Sequence, residues 1–319
     1  MMGDMETLNM TSLASRSLTP TEIESFREQG FLVKEGLISA DEIGQLTADL
    51  VKLARGGYPS EKLIPVPDSI TDAEALERIL CIHQPHALSP VIHGFTVHAK
   101  IAAVLSGIVG AHLAEGMWDG SVKCMQSMFF AKAPGMPGQA WHQDEIYIPT
   151  RDRSLCGAWI AVDDATIDNG CLWVLPGSHR AGVLYDQRPI EDLEEFDFAA
   201  ESFGFDDSGE VPVEVPAGSV VFFNGYLLHR SRRNRSQRYR RALVSHYMTA
   251  QSRLPWRHIT EADGSAVSVA MCDRRNVHMV CGIDPMAHKG YQLPQDAHLR
   301  QYAGRDEAEA ALAAKVSTR

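Results

Sequence analysis

From Asp119 to about residue 250 the chain is a succession of short apolar runs: VKCMQSMFF, LCGAWIAV, CLWVL, VPVEV, SVVFF and ALVSHYM. Pro- and Gly-containing clusters separate them, with no helical stretch between. Consecutive parallel strands need a crossover of a dozen or more residues, usually a helix. Its absence here excludes a doubly wound parallel sheet and predicts an antiparallel sandwich or barrel. The fold class read from this is mainly β with α decorations.

The decorations precede the β region. Thr19-Pro20-Thr21-Glu22 has a capping residue, a proline in the first turn and a glutamate at the third helical position, which predicts a helix from there to about Gln29, stopped by Gly30. Phe31-Leu32-Val33 follows as a short strand. Ser39-Ala40-Asp41-Glu42 repeats the capping pattern and opens a second helix with Ile43, Leu46, Leu50 and Leu53 on one face. Further helices are expected over Asp72–Leu80 and Ala99–Val109, with the His- and Pro-rich CIHQPHALSPVIHGFTVH between them. An acidic, aromatic stretch from about Ala181 to Glu210 interrupts the strands, as a lid or a plain surface loop. The organisation expected is an arm over residues 1–18, then one domain over 19–319. That domain divides into a helical annex (about 19–118), a β core (about 119–250) and a tail (251–319).

Bulk properties exclude several classes of function. A net charge of −11 argues against a protein that coats nucleic acid. No continuous apolar run approaches the ~20 residues of a membrane span, and the first residues lack the basic and apolar regions of a secretory signal. The six cysteines are scattered without a C-x-x-C pair, which predicts reduced thiols and a cytoplasmic setting. The expected partner is a small-molecule substrate, with no nucleic acid and no membrane, for a monomer or homodimer.

The chemistry centres on His142-Gln143-Asp144. In a strand, residues i and i+2 share a face, so His142 and Asp144 can reach one metal ion while Gln143 points away. His229, at the end of GSVVFFNGYLLH, is the best third ligand. Two histidines and one carboxylate leave coordination positions open, the pattern of non-haem iron oxygenases rather than of a closed structural zinc site. Arg240 lies eleven residues beyond His229, at the start of the next strand. There it can take up a carboxylate through two N–H donors. His246, on that strand, is a candidate for supporting this set. His179 is read as a turn residue, and His83, His86, His93 and His98 as loop packing or pocket wall, since their spacings fit no standard zinc pattern. The seven arginines from Arg230 to Arg241 are read mainly as a solvated loop with acidic partners. One or two remain as candidates for binding an anionic substrate.

The ordered set H-x-D, then W-x-A-x-D-D-A-T-x-x-N-G-C-L-W-V-L-P-G-S-H, then the His229–Arg240 spacing, resembles the phytanoyl-CoA dioxygenase family over roughly residues 18 to 250. The resemblance implies a double-stranded β-helix (a jelly roll) with Fe(II), 2-oxoglutarate as co-substrate, and O2. By position, His142, Asp144 and His229 would hold iron, and Arg240 would clamp the distal carboxylate of 2-oxoglutarate. Met128, Trp159 and Ser231 fall at further co-substrate contacts, with Gln126 lining the same cavity and Arg78 suggested as a second basic contact. The activity implied is hydroxylation or oxidative demethylation of a small organic substrate, an anion among the candidates, with release of succinate and CO2. Glu145, Tyr147 and Thr150, just beyond the ligand pair, are expected to read the substrate. The alternative is a metal-binding β-barrel without catalysis.

Overall fold

The computed structural model describes residues 17–197, 200–253, 258–260, 266–268, 273–285, 287–289, 291–292 and 296–302. Most of the expected N-terminal arm and the charged end from Gly304 onward lie outside them.

Both capping patterns start helices. Thr19 and Ser39 each accept a hydrogen bond from the backbone of the glutamate three residues on, and each glutamate returns one to the cap. This satisfies two otherwise orphaned donors per helix. The helices are α1 (Pro20–Gln29) and α2 (Ala40–Ala54). Gly30 ends α1 at φ 84°, a left-handed conformation that glycine adopts without penalty. Strand β1 (Phe31–Lys34) lies between the two helices.

The expected helix over Asp72–Leu80 stops early. Helix α3 covers Asp72–Glu77, and Ile79–His83 forms strand β2 instead. The sequence ILCIH is rich in β-branched residues, and the pairing with β3 decides its conformation. Helices α4 (Pro90–Thr96) and α5 (Ala99–Ile108) follow. Together residues 90–108 are long and apolar enough to cross a membrane by length and composition, although polar residues interrupt the apolar run. The stretch breaks at Val97–His98, and its Ile92, Phe95, Ile101, Val104, Leu105 and Ile108 are buried in the protein core.

The β region holds strands β3 (Val122–Lys132), β4 (Gln139–His142), β5 (Cys156–Ala161), β6 (Leu172–Val174), β7 (Gln187–Pro189), β8 (Ala200–Ser202), β9 (Val211–Val213), β10 (Val220–Asn224), β11 (His229–Ser231) and β12 (Arg240–Thr249). After them come β13 (His258–Thr260), β14 (Ala266–Ser268), β15 (Asp273–Asn276), β16 (His278–Cys281), β17 (Tyr291–Gln292) and β18 (His298–Gln301). The larger sheet runs β1-β10-β5-β12-β3-β2-β18, with β16 also on β3; the smaller runs β4-β11-β6-β9. All ladders in both are antiparallel. This is the antiparallel two-sheet core that the strand pattern predicts, and the jelly roll that the family resemblance implies.

The larger sheet has two differently covered faces because side chains alternate along each strand. Phe129, Ile160, Phe222, Leu243 and Tyr247 point to the face covered by the helices, where they join Leu46, Leu50, Leu53 and Ile101 in one apolar cluster. Trp159, Ala161, Val221, Phe223, Ala242 and Val244 point to the other face and pack with Leu172, Val174 and Val213 of the smaller sheet. A cavity of about 350 Å³ opens between the sheets.

The acidic stretch after Ala181 is docked, not free. Strands β7 and β8 form a hairpin, Gly138 N donates to Glu195 O, and Asp197 N donates to Gly138 O. Phe205 packs edge-on against Trp141 and Tyr185.

Candidate metal centre

His142 is the last residue of β4, and Asp144 is the first of a short 3-10 turn. The pair still shares a face because Gln143 between them keeps extended dihedrals, φ −127° and ψ 126°. Gln143 points the opposite way. Its amide donates to Val183 O and Tyr226 O, and its carbonyl accepts from Tyr185 N, which ties three loops behind the site together. His229 opens β11 directly opposite His142 in the β4–β11 ladder, so their rings lie 4.1 Å apart.

The three side chains form a set that could hold one ion, with ligand atoms all within 4.8 Å of one another. His142 Nδ1 donates to Ala140 O at 2.8 Å and His229 Nδ1 to Leu227 O at 3.0 Å. A carbonyl can only accept, so Nδ1 of each ring carries a proton, and Nε2 is the nitrogen turned toward the site. Asp144 Oδ1 lies 3.7 and 3.8 Å from these two nitrogens, too far for hydrogen bonds but suited to a shared cation. The other oxygen, Oδ2, accepts from His246 Nε2 at 2.9 Å, so the carboxylate is fixed in rotation.

Electrostatics favour ionised Asp144 beside neutral His229. Burial pushes the Asp144 carboxyl upward, but His246, His229 and His142 around it outweigh that and hold it well below its usual value. Burial, reinforced by His142, brings His229 down to about 4. A deprotonated carboxylate and two neutral imidazoles are the states a divalent metal requires of its ligands.

Arg240 is buried on the wall of the same cavity. Its Nε donates to Gly170 O at 3.0 Å and its guanidinium sits 5.6 Å from the Trp159 ring. Among the described residues no carboxylate comes within ion-pair range of it. The rest of the arginine run is accounted for: Arg230 and Arg232 pair with Glu210, Arg235 with Glu195, Arg238 with Asp168, and Arg241 with Asp163. Arg233 donates to the Glu194 and Gly135 carbonyls.

Of the other expected contacts, Gln126, Met128, Trp159 and Ser231 all line the cavity. Sequence reasoning missed Lys132, which shares the Gly170 carbonyl with Arg240 and donates to Ser231 Oγ at 2.9 Å. The alternation 126, 128, 130, 132 along β3 could have revealed it. Ser231 Oγ also accepts from Gln139 N, which leaves its own proton to donate. His83 and Arg300 line the cavity as well.

Three expectations fail on geometry. Arg78 is exposed at the C-terminal cap of α3, away from the cavity, because the chain turns there into β2. Glu145 and Thr150 face each other instead: Glu145 Oε1 accepts from Thr150 N and Oγ1, and both residues are buried outside the cavity lining. Tyr147 alone of that trio reaches the cavity, with its hydroxyl accepting from Gln187 Nε2.

His179, His98 and His86 have structural partners. His179 Nε2 donates to Arg27 O and fastens its loop to α1. His98 meets Glu42, and His86 clusters with His93 and His278.

Two imidazoles and a carboxylate at the mouth of a double-stranded β-helix, with a buried arginine on the facing sheet, define the iron/2-oxoglutarate oxygenase class. Residues 26–242 match the family model described as phytanoyl-CoA dioxygenase (PhyH), and the chain belongs to that family. A phytanoyl-CoA dioxygenase of Arabidopsis thaliana is 29% identical over 261 residues, 72% of this chain and 88% of the relative. Phytanoyl-CoA dioxygenase domain-containing protein 1 of Bos taurus is 28% identical over 281 residues, covering 73% and 91%. The fold is shared with EctD from S. alaskensis, solved with 2-oxoglutarate and 5-hydroxyectoine, at a TM-score of 0.57 and 22% identity over 75% of this chain and 79% of that one.

Proposed function

We propose that this protein is an Fe(II)- and 2-oxoglutarate-dependent dioxygenase that hydroxylates, or oxidatively demethylates, a small organic substrate. The observation that carries the reading is Arg240, a buried cation with no carboxylate among the described residues, on the wall of the cavity that holds His142, Asp144 and His229. Burying an unpaired charge costs several kcal/mol, which an anionic co-substrate seated there would offset.

His142 Nε2, His229 Nε2 and Asp144 would hold the iron. Iron held there would supply oxidising chemistry with 2-oxoglutarate and O2 as co-substrates, placing one oxygen atom in a substrate C–H bond and the other in succinate, with release of CO2. The chain's own residues do the positioning. Arg240 and the Ser231 hydroxyl, steadied by Lys132, receive the distal carboxylate. His246 keeps Asp144 from rotating. Met128, Phe130, Trp159, Leu172, Phe223 and Val244 line the cavity with apolar surface that excludes water, which strengthens every polar contact inside.

Anaerobic addition of Fe(II) and 2-oxoglutarate should produce a weak visible charge-transfer band, and His142→Ala should abolish it. No band, together with undiminished iron binding by that variant, defeats the proposal. Arg240→Ala should weaken 2-oxoglutarate binding at least thirtyfold, about 2 kcal/mol or more for removing one member of a buried charge pair. Affinity indifferent to that substitution would favour a metal-binding protein without catalysis.

A further inference from the structure

The co-substrate accounts for one end of the cavity and leaves a second cation unused. Strands β12, β3, β2 and β18 lie side by side, and in register Ala242 faces Phe130, Phe130 faces Cys81, and Cys81 faces Arg300. Arg300 therefore stands one row along from Arg240 and three strand spacings away, roughly 14 Å across the sheet at ~4.8 Å per strand. Both line the cavity. The family match ends at residue 242, so membership does not supply Arg300.

Arg300 is held but not saturated. One guanidinium nitrogen, Nη2, meets Asp197 Oδ2 at 3.3 Å, with the arginine side chain 32% exposed and the aspartate 2%. A guanidinium offers five N–H donors in a planar fork, and this contact uses one nitrogen. His83 stands on the neighbouring strand, kept neutral at physiological pH because burial and then the Arg300 charge bring it down to about 4. It can give or take a hydrogen bond without competing for an anion. The other cavity arginine, Arg230, is committed to Glu210 at 2.6 Å and stacks over Trp141.

We infer that the substrate is a small carboxylate whose acid group docks on the free edge of Arg300, three strands along the same cavity wall from the co-substrate's arginine. Asp197 shows that the fork accepts a carboxylate there and holds it ready in orientation. The cavity, about 350 Å³ for substrate and co-substrate together, is at the small end of ligand pockets. It fits a free acid better than one carried on a bulky nucleotide thioester. This assignment rests on the oxygenase reading above for the identity of the second occupant.

The test uses the full chain loaded with Fe(II) and 2-oxoglutarate under anaerobic conditions. Straight-chain acids of four to eight carbons, phenyl-substituted acids and N-acetyl amino acids are each paired with their primary amide and titrated by calorimetry. At least one acid should bind about thirtyfold or more tightly than its amide, the effect of one charge-assisted pair. Arg300→Gln should bring that ratio close to one, and Arg300→Lys should keep part of it. Asp197→Asn, by removing the internal competitor, should tighten acid binding. A purely structural Arg300–Asp197 latch predicts the opposite: Arg300→Gln and Asp197→Asn each lose acid and amide binding in parallel. That result, or a set in which no acid outbinds its amide, overturns the inference. Failure of the oxygenase reading would show separately, as wild-type protein that releases no succinate from 2-oxoglutarate with Fe(II) in air.

Discussion

At the residue scale, the site depends on groups that touch no metal. His246 Nε2 binds one Asp144 oxygen and so aims the other at the two imidazoles. Partners of this kind typically carry a ten- to hundredfold share of metal affinity. His246→Leu should weaken Co(II) or Fe(II) binding by that factor in a chelator competition, and unchanged affinity would mean that packing alone holds Asp144. A second histidine sets a pH limit on stability. Burial, then His278 and His93, bring His86 down to about 3, while Ser127 Oγ contacts its Nδ1 at 2.5 Å. The facing groups are His93 on α4, His278 on β16 and Ser127 on β3. In the unfolded chain this imidazole titrates near 6.5. Below that pH the unfolded state binds a proton that the folded state refuses, so stability falls as pH falls from about 6.5 toward 3. The loss is about 2 kcal/mol by pH 5. Urea unfolding at pH 7, 6 and 5 should show His86→Asn losing less than wild type by about that amount, and parallel losses would refute the assignment.

At the scale of elements, the site depends on a place where the Phe223 ring leaves its neighbouring strand no room for a side chain larger than hydrogen. Gly157 on β5 faces Phe223 on β10, and a Cβ there would lie 2.3 Å from the Phe223 ring. That ring in turn lies 4.8 Å from the His229 ring. Gly157→Ala should therefore displace Phe223 into His229, at a cost of about 1–3 kcal/mol as for other overpacked cores. Thermal melts and metal titration should both report it, and a variant that loses stability but binds metal normally would separate the two. These contacts also mark what the sequence could and could not disclose. Helix caps at Thr19 and Ser39, and the short apolar runs that form β3, β5, β10 and β12, are local signals and were legible. So was the His142–Asp144 spacing, although Asp144 lies beyond the strand end rather than within it. The segment Ile79–His83 was not, because its conformation is fixed by pairing with β3, some forty residues away in sequence. Arg300 was out of reach for the same reason: among the described residues β18 joins the wall through β2, more than two hundred residues upstream. Lys132 lay within reach of the alternation rule, hidden only by its place at the end of an apolar strand.

At the scale of the molecule, the question is whether annex and β core are separate bodies. The helices contribute Phe26, Leu46, Leu50, Leu53, Ile92, Ile101 and Leu105 to the same buried cluster as Phe129, Ile160, Phe222, Leu243 and Tyr247 of the larger sheet. Strand β1, although it lies between two annex helices, is an edge of that sheet through its ladder with β10. A helical layer that shares its core with the outer face of the sheet also stiffens the inner face, because the same strands carry both. The consequence is cooperative unfolding. Leu50, fully buried on α2, sits far from the metal ligands in sequence, and Leu50→Ala should cost about 2–5 kcal/mol. That loss should lower a single transition seen alike by helical circular dichroism, by tryptophan fluorescence and by release of bound Co(II). If the helical signal melts first while the metal stays bound, the annex folds as a unit of its own, and the layer behind the sheet does not help to hold His142, Asp144 and His229 in place.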